Sequence, residues 1–215
     1  MKKFEYLLLI CFLILTVGCK KDKEEDKIVE QITGTPATMG EIGATGTATA
    51  INVPGVDDIT GSVTTNEDGI SIITATANVT NTTLKNFISN LPGVTFNGDI
   101  ATVTDVKIKA TDEGFESVKG FDPGIIVKYS SEVGDKYYTK TGNERTVTEK
   151  SVDNDYFWDG MNIKIIKVEE NIQQKNGLSK VTYWANHHWG MVGLELKFTD
   201  GTIANFPIIL SENNK

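Results

Sequence analysis

Beyond residue 44, several separate segments carry apolar or small residues at every second position, the period of strands with one covered face. Residues 44–51 alternate Thr45, Thr47 and Thr49 with small residues, which predicts an early strand with a small-residue face. Asp57 with Asp58, and Asn66 to Gly69, are turn clusters. Ile73, Ala75, Ala77 and Val79 then share one face, while Thr74, Thr76, Asn78 and Thr80 share the other. Further strands are expected over 94–96, over 101–111 with Val106, Ile108 and Ala110 on one face, and over 124–129. Residues 161–168 also read as a strand, but its phase slips after Ile165, and a β-bulge near Ile165 and Ile166 would restore it. One segment has helical spacing: Leu84, Phe87, Ile88 and Leu91 stand at i, i+3, i+4 and i+7, with Thr82 or Thr83 to cap and Pro92 and Gly93 to stop it.

The C-terminal stretch fixes a register. Val192, Leu194, Leu196 and Phe198 alternate with polar or small residues, and Ala204, Phe206, Ile208 and Leu210 do the same beyond Asp200 and Gly201. A two-residue loop would set Glu195 opposite Phe206 and mix the faces. A three-residue loop with Gly201 left-handed pairs Leu196 with Ala204, Leu194 with Phe206 and Val192 with Ile208, which keeps one face apolar. Pro207 cannot donate to a ladder, so this last strand is expected at a sheet edge.

The N-terminus follows a different pattern. Met1, Lys2 and Lys3 precede an apolar run from Leu7 to Val17, closed by Gly18 and Cys19. The run is too short for a spanning helix, which needs about 20 residues. A basic start, an apolar stretch and a small residue before a cut describe a secretory signal peptide, here residues 1–18. Thr16, Val17, Gly18 and Cys19 resemble the lipobox of bacterial lipoproteins processed by signal peptidase II, with Thr16 in place of the usual Leu. The resemblance implies that the Cys19 thiol takes a diacylglycerol and that the protein meets a membrane through this lipid. An ordinary cleaved signal and a retained anchor are the alternatives. Residues 20–27 are charged throughout, so 19–37 is expected to be a lipidated, solvated tether. Asp22, Glu24 and Glu25 resemble the acidic signal that sends some lipoproteins to the outer face of the outer membrane. That implies a cell-surface position, with the periplasmic face as the alternative.

Loss of the leader removes two lysines and one glutamate, moving the net charge from −8 to −9. An acidic domain argues against nucleic acid, whose binding needs basic surface. Both cysteines, Cys11 and Cys19, lie at the N-terminus, so the domain beyond them has no disulfide and no thiolate for zinc. From Thr33 to Thr83, threonine supplies 14 of 51 residues, a composition that favours strands.

Candidate chemistry is sparse. His187 and His188 are adjacent, so on a strand they point to opposite faces and cannot easily share an ion. Asp153, Asn154, Asp155, Asp159 and Gly160 depart from a calcium loop because Phe157 takes the fifth position and the glycine comes late. No nucleophile elbow, phosphate loop or dinucleotide fingerprint is present, and no cofactor or catalytic residue is expected. All three tryptophans fall late: Trp158 follows Tyr156 and Phe157, Trp184 follows Tyr183, and Trp189 follows shortly. Such residues fill a β core or form platforms that stack on sugars or anchor an interface. Tyr183 shares its face with Val181 and Ala185, as core residues do.

Val133, Gly134, Asp135, Lys136 and Tyr137, a strand, then Thr182 to Ala185 and Gly190 to Val192 resemble a pattern of β-rich bacterial lipoproteins with a half-barrel similar to lipoprotein carriers. Tyr137 replaces the usual Trp, and residues 186–189 replace a short glycine turn. The resemblance covers about residues 133–195 and implies an apolar ligand held between a curved sheet and helices. This chain shows one short helix, near 82–91.

The expected fold is all-β, a mainly antiparallel sandwich or open half-barrel, as a single domain over 38–215 or two subdomains split near 121–124. The expected function is a non-enzymatic surface lipoprotein that binds a ligand or protein partner. Glycan capture for nutrient uptake, with Trp158, Trp184 and Trp189 stacking, is the most concrete form. Carriage of a hydrophobic ligand in the envelope, or a structural and adhesive role, are the alternatives.

Overall fold

The computed structural model describes residues 29–175 and 177–212. Its strands in chain order are β1 (Thr45–Ala48), β2 (Val56–Glu67), β3 (Ile70–Val79), β4 (Val94–Asn97), β5 (Ile100–Thr111), β6 (Gly114–Lys119), β7 (Gly124–Lys128), β8 (Lys136–Tyr138), β9 (Glu144–Lys150), β10 (Tyr156–Trp158), β11 (Met161–Ile163), β12 (Ile166–Lys175), β13 (Leu178–Asn186), β14 (Gly190–Phe198) and β15 (Ile203–Ser211). The helix α1 (Thr82–Ile88) follows β3. Thirteen strands form one sheet in the order β7-β6-β5-β3-β2-β1-β15-β14-β13-β12-β9-β8, with β4 also on β5, while β10 and β11 pair by themselves. The fold is all-β and antiparallel, curled into a nearly closed barrel. Its two margins approach where Lys140 N–H donates to Pro123 O at 2.8 Å and Lys128 N–H donates to Tyr137 Oη at 3.3 Å. No ladder joins β7 to β8 among the described residues.

Local chemistry explains the turns. Asp68 and Gly69, with φ of 53° and 77°, form a two-residue loop that pairs Glu67 with Ile70. Two left-handed residues match the twist of a hairpin. The C-terminal hairpin adopts the expected register, Leu196 opposite Ala204 and Leu194 opposite Phe206, with Gly201 at φ 90°. In β5 a left-handed Asp105 (φ 59°) shifts register so that Val103 faces Ala75 and Val106 faces Ile73. That bulge keeps both valines on the concave face.

Helix α1 starts at Asn81, whose Oδ1 accepts from Leu84 N–H at 3.1 Å; neither Thr82 nor Thr83 is the cap. Leu84 and Phe87 are buried, and the Phe87 ring meets Phe121 and Phe198 edge-on at 5.8 and 5.5 Å. This closes one end of the barrel. At the other end a 3-10 turn, Thr38–Gly40, crosses the opening, and Ser71 Oγ donates to Gly40 O at 2.6 Å.

Several expectations are corrected. The tether does not stay solvated to residue 37: Ile32 is 2% exposed and its N–H donates to Glu116 Oε2 at 3.0 Å. Thr35 N–H and Ala37 N–H likewise bond Asp112 and Ala110. Asp57 and Asp58 make no turn but a bulge inside β2, with Asp58 left-handed at φ 53°. The phase slip over 161–168 is no bulge; β11 pairs with β10, and β12 begins anew in the main sheet. Val192 leaves the apolar row because the β13–β14 register shifts between Trp184 and Ala185. Met191 then faces the main core and Val192 packs with Trp158, Ile163 and Ile165. Pro207 is not on an edge strand, since β15 lies between β1 and β14. The ladder lapses locally instead: Thr49 N–H donates to Pro207 O, the proline has nothing to return, and pairing resumes at Ile51 with Asn205. Residues 121–124 are the turn from β6 to paired β7, so no boundary divides the sheet there. Among the described residues no helix is long and apolar enough to cross a membrane.

Candidate functional site

The small residues of the early strands do not meet a filled core. Gly46 and Ala48 of β1, Gly61 of β2 and Ala75 of β3 line a cavity of about 460 Å³. Ile59, Val63, Ile73, Val103, Val106 and Ile108 continue this wall across three strands. Ile208 and Leu210 of β15 extend the wall beside Ala48 and Gly46, Phe115 of β6 and Met191 and Leu194 of β14 line the cavity farther along the sheet, and Met39 of the 3-10 turn closes one end. Among the described residues no charged side chain lines it. Ile59, Ile73, Ile108 and Ile208 are only half-buried, so the space opens to solvent. Gly61 is not left-handed, and a Cβ there would rest 3.4 Å from the Ala75 Cβ, an ordinary contact. Glycine at this position therefore serves space rather than backbone geometry. Ligand sites are typically concave, largely apolar and about 300–1,000 Å³, and this cavity has that character.

The tryptophans do not form one plane. Trp158, the last residue of β10, is 5% exposed, packs outside the main core with Ile163, Ile165 and Val192, and its Nε1–H donates to Ile208 O at 2.9 Å. Half-buried Trp189 packs against it at 5.5 Å with planes tilted by 40°, and against His188 at 4.5 Å. Trp184 lines a separate depression of about 280 Å³ and stacks on Tyr156 at 6.4 Å. Val192, Ile163 and Ile165 complete the satellite core that holds Trp158. Tyr183 is buried in the main core. His187 and His188 are exposed on the β13–β14 turn, where His188 N–H and Trp189 N–H donate to Asn186 Oδ1 at 2.7 and 3.0 Å. Asp153 and Asp155 belong to the bend before β10, with Asp155 N–H donating to Asp153 O. Among the described residues no three His, Cys, Asp or Glu side chains are placed to hold a metal ion.

The sequence reading missed a buried ionic group. Arg145 on β9 and Glu170 on β12 are both 0% exposed, with Nε donating to Oε2 at 2.7 Å. Arg145 also donates to the carbonyls of Gly124 and Ile125 at 3.1 and 2.8 Å, and of Asp122 at 2.7 Å. Tyr183 Oη donates to Glu170 Oε2 at 3.0 Å, and Asn143 Nδ2 donates to Asp122 Oδ2 at 2.7 Å. A perturbed carboxylate with a charged partner often marks an active site. Here the paired Arg145 and Glu170 side chains have no exposed atom to offer a substrate, and the bonds of Arg145 run from β9 to the β6–β7 turn and β7. One guanidinium thus spans the two margins of the sheet and fastens them where no ladder does.

Burial pushes the Glu170 carboxyl up to about 7, reinforced by the neighbouring Asp122 carboxylate and opposed by Arg145. Burial also works against ionised Asp122, but hydrogen bonds from Glu170, Thr141 and Asn143 outweigh it and hold that carboxyl below its usual range. Two adjacent carboxylates thus share one proton in acid. Glu170 contributes stability that is complete below its ordinary value of 4.5 and is lost as pH rises through about 7. Asp122 has the opposite sign: its contribution holds above the ordinary aspartate range and is lost as pH falls through its depressed value. The protein should therefore lose on the order of 1–3 kcal/mol between about pH 5 and 8 from Glu170. Thermal melts across that range should show Tm falling, and Glu170→Gln should flatten the slope; an unchanged slope in the variant would refute the assignment.

Cys19, Asp22, Glu24 and Glu25, with the leader, lie outside the described residues. No protein-family model matches the chain, and no curated protein matches it.

Proposed function

We propose that this chain is a non-enzymatic, lipid-anchored envelope protein that holds an apolar ligand within its curled sheet. The observation that carries the reading is the cavity of about 460 Å³, which no charged side chain lines among the described residues. A barrel filled by its own side chains would have no such space. Displacing water from it favours an aliphatic chain by about 0.8 kcal/mol per buried CH₂. Saturable, one-to-one binding of a long-chain fluorescent fatty acyl probe to the purified protein tests it. Binding that rises without saturation, or none, would sink it.

The anchor is part of the same proposal: Cys19 takes the lipid, and Asp22, Glu24 and Glu25 direct the domain to the outer surface of the outer membrane. Two or more acyl chains hold a protein stably, whereas one does so only marginally. Cys19→Ala should release the protein from the membrane fraction. Protease shaving of intact cells should remove the wild-type domain and spare a variant neutralised at the three acids. Protection of both would place the domain on the periplasmic face.

Glycan binding retains one specific observation, the depression where Trp184 stacks on Tyr156 beside Glu195 and Asn205. Its sign would be loss of sugar binding in Trp184→Ala with acyl-probe binding intact.

A further inference from the structure

The apolar cavity ends against Met39, and a second space of about 270 Å³ lies on the far side of that residue. Met39 and Leu210 line both. The second space adds His188, Trp189, Ser211 and Glu212. The partition is held closely: Gly190 is left-handed at φ 66°, and a Cβ there would fall 2.3 Å from the Met39 sulfur. Methionine is unbranched and adapts its shape readily, so its side chain can turn aside to let a chain through.

The two spaces differ in polarity. Among the described residues neither is lined by a lysine or arginine, and Glu212 is the one carboxylate on either wall, beside the His188 imidazole. Thr38 Oγ1 donates to Glu212 Oε1, which fixes the carboxylate and leaves lone pairs for another donor. Trp189 is half-buried between His188 and Trp158, so its indole stays in the wall. Among the described residues an anionic head would find no lysine or arginine here and would meet a carboxylate. A cationic head would find both a carboxylate and an indole, the aromatic that holds cations best.

Resting on the reading of the larger cavity as a ligand seat, we propose that the ligand is a single-chain amphiphile with an ammonium head. The chain passes Met39 into the barrel, and the head sits against Trp189 and Glu212.

The test compares three twelve-carbon probes on the full mature protein, all below their micellar concentrations: dodecyltrimethylammonium, dodecyl sulfate and dodecanol. Affinities are read by calorimetry. The ammonium should bind about tenfold more tightly than the sulfate, the scale of a partly desolvated cation–aromatic contact with a nearby carboxylate. Glu212→Gln should weaken the ammonium several-fold and leave dodecanol unchanged. If the sulfate binds as well as the ammonium, or Glu212→Gln changes nothing while dodecanol still binds, the head-group proposal is wrong and the cavity reading stands. If none of the three binds, both fall.

Discussion

Ala75→Phe is expected to lower acyl-probe affinity at least about tenfold while leaving the thermal midpoint unchanged or raised. Ala75 is half-buried on the concave face, opposite Gly61 on one side and Val103 on the other. A phenyl ring there enters the cavity rather than a packed core, so it costs no overpacking. Filling existing space commonly stabilises a protein by about 0.5–2 kcal/mol. The control is Thr74→Phe, one residue along the strand on the other face of the sheet, which should leave probe binding intact. Equal loss in both variants would mean that β3, not the cavity, had been disturbed. No loss in Ala75→Phe would mean that the probe binds elsewhere.

The second large effect is on stability. Arg145→Met should destabilise the domain by about 3–5 kcal/mol, the usual cost of removing one partner of a buried pair. The loss exposes no new surface but strands the Glu170 carboxyl and the carbonyls of Asp122, Gly124 and Ile125 without their donor. Arg145→Lys should recover little, because an ammonium cannot reproduce the planar fork that reaches both margins. Adding Glu170→Leu to Arg145→Met should recover part of the loss, since the stranded acid is then gone. Chemical denaturation measures all three. A loss under about 1 kcal/mol in Arg145→Met would mean that the closure depends on other contacts.

The sequence made the regular parts visible. The alternation of Ile73 with Ala75 and Ala77, and the pairing of Leu194 with Phe206, follow from a period of two and one covered face. The helix was legible because Leu84 and Phe87 stand on one side of a short segment. What escaped notice had local exceptions at its centre. Strand β2 was hidden by Asp58, which reads as a turn and sits in a bulge. Pro207 looked like an edge, yet a sheet interior tolerates it where a single hydrogen bond is dropped. Arg145 lies within Glu144–Lys150, a polar segment that reads as a solvated strand, and only the curl of the sheet brings it against β7. The cavity is of the same kind. The small-residue face of β1 was visible, but an empty space depends on what the facing strands fail to fill.

Photo-crosslinking with an acyl chain that carries a diazirine near its tail would test the central claim most directly. After irradiation of the purified protein and mass-spectrometric mapping, label should concentrate on Ile59, Ile73, Val106 and Ile208, around the cavity. Label confined to exposed apolar residues such as Val152 and Phe157, with none on the concave face, would contradict the account.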